Sequence, residues 1–207
     1  MHVTSILNHK GGVGKSTIAT NIAGYFANKG EKVLIGDFDV QQSSQTWLDL
    51  RPENTAHISN WVIENGHLIS PPDGTSHIII DSSAGLTGNS LDRIVSMSDK
   101  IIIPLKPGIF DMLSTQSFLE EVIEIINSKE KEIKLCIIGS MVDNRTKATE
   151  QLSKFLNSLG LDSPTNIRQA QIYIHLAAHG LSLFDAKTDA FDKEKEQWIP
   201  LIEWIEQ

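Results

Sequence analysis

Apolar residues along this chain fall into two kinds of segment. Short runs, rich in β-branched residues and apolar nearly throughout, occupy residues 3–7, 32–35, 77–80, 100–104 and 135–142. Such runs read as strands covered on both faces, because a half-exposed strand alternates. Between them the period becomes helical. Residues 15–28 place Ile18, Ile22, Ala23 and Phe26 on one face. Residues 114–127 do so with Phe118, Val122, Ile125 and Ile126, and residues 146–159 with Leu152, Phe155, Leu156 and Leu159. Alternating strand and helix predicts right-handed crossovers and an α/β class: a mostly parallel, twisted sheet with helices on both faces. Residues 49–75 are irregular, hold Pro52, Pro71 and Pro72, and read as an insert with one short edge strand near 57–63. Residues 193–207 carry Trp198, Leu201, Ile202 and Ile205 at helical spacing, with Pro200 kinking the helix or starting a new turn.

A length of 207 residues fits one medium domain over residues 1–207. The one cysteine, Cys136, lies inside an apolar run. That excludes a disulfide framework and a zinc ribbon, and the reducing cytoplasm is the simplest compartment. No basic-then-apolar leader and no membrane-length apolar run is present. The formal charge is −8, from 26 acidic and 18 basic side chains, so contact with nucleic acid requires a local basic patch.

The strongest chemical signal is Lys10-Gly11-Gly12-Val13-Gly14-Lys15-Ser16-Thr17, between a predicted strand and a predicted helix. Its glycines allow a backbone curl that turns successive N–H groups inward as an anion nest. The helix beginning near Lys15 adds its positive dipole end. Lys15 supplies a point charge for the β- and γ-phosphates of ATP, and the Ser16 hydroxyl suits Mg²⁺. Two further carboxylate positions stand at strand ends, where open parallel sheets bind ligands. They are the Asp37-Phe38-Asp39 pair and Asp81, which closes the run 78–81. The alternative for the pair is a helix cap ahead of residues 43–47.

The loop resembles the deviant phosphate loop of the ParA/MinD ATPases, whose early lysine reaches across a dimer to the partner's nucleotide; Lys10 stands at that position. Asp37-Phe38-Asp39-Val40-Gln41 is similar to the family's Asp-x-Asp-Pro-Gln, with Val40 for proline and Gly36 for a larger apolar residue. The resemblance implies that Asp37 and Asp81 hold magnesium-bound waters and that Asp39 orients the attacking water. Ser82-Ser83-Ala84-Gly85 stands where a proline- or glycine-rich switch is frequent. Pro104 to Asp111 is similar to a further family segment, and Asn144-Arg145 to its base-contacting pair, with residues 167–173 as the late base-side loop. The resemblance covers residues 2 to about 186 and is looser after residue 140.

A phosphate loop starting near residue 9 points to the short ParF-like partition ATPases, without a preceding helix-turn-helix domain. The resemblance implies an ATP-dependent homodimer, non-specific DNA as ligand, a small ParB/ParG-like activator, and a cytoplasmic location that DNA binding would make nucleoid-associated. Arg145, Lys147, Lys154, Arg168 and Lys187 either form one DNA face or are scattered solvated charges. Membrane attachment is not expected, since Glu194, Glu196, Glu203 and Glu206 on the tail would be repelled by anionic lipid. One cysteine cannot ligate the cluster of the nitrogenase iron protein. Two other readings stay open: a nucleotide-gated scaffold that assembles a protein machine without DNA, and a small-molecule ligase or kinase on the same loop.

Overall fold

A computed structural model describes residues 1–64, 67–143 and 145–207. In chain order its strands are β1 (His2–Ile6), β2 (Val33–Asp37), β3 (Ile58–Asn60), β4 (Ile63–Glu64), β5 (His67–Leu68), β6 (His77–Asp81), β7 (Lys100–Leu105), β8 (Lys134–Val142) and β9 (Asn166–Arg168). Its helices are α1 (Lys15–Asn28), α2 (Ser43–Asp49), α3 (Gly88–Met97), α4 (Ile109–Asn127), α5 (Lys147–Ser158), α6 (Gln171–Ala177), α7 (Asp192–Glu196) and α8 (Ile199–Glu206). Seven strands pair in parallel in the order β3-β2-β6-β1-β7-β8-β9, while β4 and β5 form a separate antiparallel pair. The α/β architecture expected from the alternation is therefore the observed one.

Two apolar cores lie on opposite faces of the sheet. Along β6, β7 and β8, Ile79, Ile102, Cys136 and Ile138 enter one core, and Ile78, Ile80, Ile101, Ile103 and Ile137 enter the other. That alternation is the two-residue period of a strand whose faces are both covered. Ile18, Ile22 and Phe26 of α1, Tyr173 and Leu176 of α6, and Leu201, Ile202 and Ile205 of α8 close the first core. Leu91, Ile94 and Val95 of α3, Phe118 and Val122 of α4, and Leu152 and Leu156 of α5 close the second. Trp198 is fully buried and its indole N–H donates to the Tyr173 hydroxyl at 3.0 Å. Pro200 sits in the first turn of α8, where its missing N–H costs nothing. The apolar face of the tail is thus spent on the core. Among the described residues no helix is long and apolar enough to cross a membrane.

β1 lies between β6 and β7, so the chain's strand order reverses around it. At such a point the connections leave in opposite directions and open a crevice beyond the carboxyl ends of the strands. The loop after β1 occupies that crevice. The register also sets two carboxylates side by side, because Asp37 at the end of β2 pairs with Asp81 at the end of β6. Gly36 has a packing reason. A Cβ there would lie 3.0 Å from both the Phe38 and Trp61 rings, so the smaller residue lets these rings pack over the strand end.

Candidate nucleotide site

The loop entering the site is anchored on neighbours before it curls. Asn8 is fully buried; its side-chain amide donates to the Pro104 carbonyl at 2.8 Å and to Thr115 Oγ1 at 3.2 Å, while its Oδ1 accepts the Lys10 N–H at 2.9 Å. His9 Nε2 lies 2.6 Å from Ser114 Oγ, with its ring against Phe118. Burial, reinforced by Lys10 and Lys15, lowers the His9 pKa. Gly12 and Gly14 then take left-handed φ values of 68° and 91°. A Cβ at Gly14 would meet Ser140 Oγ at 2.8 Å, so both the φ and the space demand glycine. α1 starts at Lys15, over the same residues the period predicts.

Lys15 is 7% exposed, and its ammonium donates to the carbonyls of Asn8 at 3.1 Å and Lys10 at 3.0 Å. Burial lowers its pKa, with Asp81 and Asp39 acting in the opposite sense. A cleft of about 620 Å³ opens over the loop, lined by Gly14, Lys15, Ser16, Thr17, Asp39 and Val40 among others. Lys10 is half-buried at the loop, and its ammonium has no hydrogen bond or ion pair among the described residues.

The three aspartates differ in their surroundings. Asp37 caps α2: its Oδ2 accepts the N–H groups of Ser44 at 2.8 Å and Gln45 at 3.0 Å, and its Oδ1 accepts that of Asp39 at 2.9 Å. Three of the roughly four acceptor positions of that carboxylate are thus taken. Asp39 stands at the cleft and accepts the Gln41 N–H at 2.9 Å. Asp81 is fully buried; its Oδ2 accepts the Ser44 hydroxyl at 2.6 Å, and among the described residues its Oδ1 has no hydrogen-bond partner. Burial pushes the Asp81 pKa up to about 6, opposed by the Ser44 and Ser16 hydroxyls and by Lys15, and assisted by Asp37.

An orphaned carboxylate oxygen beside a loop hydroxyl is expensive unless something positive completes it. The donors available are all hard oxygens, which suits Mg²⁺. Among the described residues no group of three or more His, Cys, Asp and Glu side chains converges as a metal cage. Mg²⁺ does not need one, since it is commonly held through one or two carboxylates, waters and substrate phosphates.

Ser140 and Met141 form the floor beside Gly14. Met141 has a left-handed φ of 54° at an irregularity in the β8–β9 register, and it lines the cleft. A smaller apolar cavity bounded by Met141, Ile167, Ala170 and Tyr173 continues from it. That cavity shares Arg168, Gln169 and Ala170 with a second cleft of about 520 Å³, which also includes Asp143 and Arg145. The trough therefore runs from the phosphate loop to the segments expected on the base side. Asn144 lies outside the described residues. Arg145 forms a bidentate pair with Asp143, at 2.9 and 2.8 Å, and Arg168 pairs with Glu194 on α7. The segment after β6 touches the loop directly, Gly85 N–H donating to the His9 carbonyl at 2.8 Å, and Val40 is 95% exposed. Asp111 lies in the first turn of α4.

Residues 4–183 match the CobQ/CobB/MinD/ParA nucleotide binding domain family. The chain belongs to that family. A maintenance of carboxysome distribution protein A from Gloeobacter kilaueensis is 32% identical over 53% of this chain, a match spanning only 51% of that relative. Its namesake from Halothiobacillus neapolitanus is 25% identical over 87% of this chain and 85% of its own length. A plasmid partition protein from Borrelia burgdorferi, solved bound to AMPPNP, superposes with a TM-score of 0.71 at 18% identity, covering 98% of this chain and 99% of that one. That likeness supports the fold: a parallel α/β sheet with the phosphate loop at its switch point.

Sequence reasoning missed Ser44 and Met141. Ser44 meets Asp81 only because β2 and β6 are neighbours, and Met141 reaches the loop only through the bend in β8. Neither carries a local pattern that could have singled it out.

Proposed function

We propose that this chain is a ParA-type ATPase that dimerises on ATP–Mg²⁺, binds DNA non-specifically as the dimer, and positions DNA or another large cargo. A small ParB/ParG-like partner stimulates its slow hydrolysis. The observation that carries this reading is Lys10. It is a second lysine beside a loop whose own lysine is buried, and its ammonium has no partner among the described residues. Exposed apolar side chains at the same edge of the sheet support a face-to-face dimer. Val40 is 95% exposed, and Ile109, Phe110 and Leu113, at the start of the helix that anchors His9, are 56%, 77% and 57% exposed.

In this reading the N–H groups of residues 11–16 and the start of α1 hold the phosphates. Lys15 leaves the two loop carbonyls for the β- and γ-phosphates, and Lys10 of each subunit reaches the other's nucleotide. Ser16 and Asp81, with Asp37 behind them, hold Mg²⁺, which when bound neutralises charge building up between the β- and γ-phosphates. Asp39 accepts a hydrogen bond from the water that attacks the γ-phosphorus as the bond to the ADP oxygen breaks. The base side of the nucleotide falls to the trough beyond Met141, with Asn144 and Arg145.

DNA contact falls to Lys147, Lys154 and Lys187, which are exposed and have no partner among the described residues. The pairing of Arg145 and Arg168 with carboxylates favours a second reading, a nucleotide-gated scaffold for a protein cargo without DNA contact. The relatives named for carboxysome distribution fit either. The location is cytoplasmic in both, and nucleoid-associated in the first.

Light scattering with a non-hydrolysable ATP analogue and Mg²⁺ tests the dimer. The chain should double in mass with the analogue, and Lys10→Ala should stay monomeric while still binding it. A Lys10→Ala variant that dimerises as well as the parent would remove the crossover role.

A further inference from the structure

Ser44 is fully buried in the first turn of α2. Nothing local asks for a serine there. Alanine would suit the helix better and bury no hydroxyl. Among the described residues its side chain is satisfied across the sheet alone, by Asp81 Oδ2 at 2.6 Å, while its own N–H donates to Asp37 Oδ2 at 2.8 Å. One residue thus bridges two carboxylates that the β2–β6 register sets side by side and that repel one another. Its hydroxyl occupies one oxygen of Asp81, and the other, Oδ1, has no hydrogen bond among the described residues; the Ser16 hydroxyl also acts on this carboxylate.

We infer that Ser44 is a positioning residue for magnesium. Its hydroxyl fixes the rotation of the Asp81 carboxylate so that Oδ1 stays available to the metal's water shell. Its N–H ties that carboxylate, through Asp37, to the segment carrying Asp39. A carboxylate freed from the hydroxyl turns about its last bond and must be reordered whenever the metal enters. Metal occupancy and the placement of α2 are linked through this side chain together with Asp37, which accepts the N–H groups of Ser44 and Gln45. The inference rests on the magnesium reading of the site proposed above.

The test uses a fluorescent, non-hydrolysable ATP analogue and reads binding rather than turnover. Free Mg²⁺ is titrated into the full chain, Ser44→Ala and Ser44→Thr, with a parallel titration of analogue in chelator. Ser44→Ala should need roughly tenfold more Mg²⁺ for half-saturation, as expected for losing a hydrogen bond to a charged group. Affinity in chelator should stay within about twofold, and Ser44→Thr, which keeps the hydroxyl, should stay near the parent. On an Asp81→Asn background, Ser44→Ala should change nothing further. If Ser44→Ala does not fold, Ser44→Cys takes its place, with the same size and a weaker donor. An unchanged Mg²⁺ requirement in Ser44→Ala, or an equal loss in Ser44→Thr, overturns the inference and leaves the magnesium reading intact. If the parent itself binds the analogue with no Mg²⁺ dependence, the magnesium reading fails and the inference falls with it.

Discussion

Replacing Asp81 by Asn removes a charge that the metal-free fold holds at a cost. The Asp81 pKa rises from 3.8 to about 6 in the folded chain, chiefly through burial, a shift of about 2 units. At about 1.4 kcal/mol per unit this makes the ionised carboxylate destabilising by about 3 kcal/mol. Asp81 is fully buried, so little of this is lost to solvent screening. The sign follows from proton counting. Between pH 3.8 and about 6 the folded state holds the proton more tightly than the unfolded state. The penalty is therefore fully present above the folded pKa and vanishes as pH falls toward the unfolded one. The amide adds a constant offset of about 1–3 kcal/mol for a buried NH₂ that lacks a partner. The pH dependence of the difference is accordingly the readout. Urea unfolding of both chains without metal, from pH 4 to pH 8, should show the Asn variant gaining about 2.5 kcal/mol on the parent across that range, most of it below pH 6. Nucleotide with Mg²⁺ at pH 8 should stabilise the parent far more than the variant, since binding to the native state adds directly to stability. A difference that stays flat with pH would refute the assignment of a strained, metal-ready carboxylate to Asp81.

Three further perturbations separate loop, scaffold and surface. Gly14→Ala places a methyl 2.8 Å from Ser140 Oγ at a φ of 91°, so it should cost about 1–3 kcal/mol in urea unfolding and abolish analogue binding by fluorescence titration. Arg51→Ala breaks a buried bidentate pair with Asp185, at 2.9 and 2.8 Å, and should lower stability by about 3–5 kcal/mol while leaving a folded chain's Mg²⁺ requirement unchanged. Phe110→Ser should leave the melting temperature and analogue affinity within error, because the ring is 77% exposed, yet weaken analogue-driven dimerisation about tenfold by light scattering.

The central strands were legible because they are buried on both faces and so carry unbroken apolar runs. The predicted run 3–7 became His2–Ile6, and 135–142 became Lys134–Val142. α4 begins at Ile109, earlier than its apolar period implies, because Ile109, Phe110 and Leu113 in its first turns face outward and break the pattern. α3 was missed because only Leu91, Ile94 and Val95 of its residues are buried, too few to set a period. β9 is a three-residue strand defined by its ladder with β8 rather than by composition. In the site, the glycine curl and the strand-end carboxylates were legible because each sits at a fixed step from a predicted element. The capping role of Asp37 was also foreseeable as the alternative for that pair, and the structure gives it to the same carboxylate that lies beside Asp81. What could not be read was which oxygen is occupied and which is bare, since that depends on Ser44, whose partner comes from another strand.

The most direct test of the account is sedimentation of the purified chain with ATP–Mg²⁺ at low salt, with and without non-specific duplex DNA. The account predicts dimers that form only with nucleotide and Mg²⁺, that co-sediment with DNA, and that let go steeply as salt rises. Dimers that ignore DNA would replace partition by the protein-scaffold reading. A chain that stays monomeric whatever the nucleotide would contradict the claim that this site works as a pair.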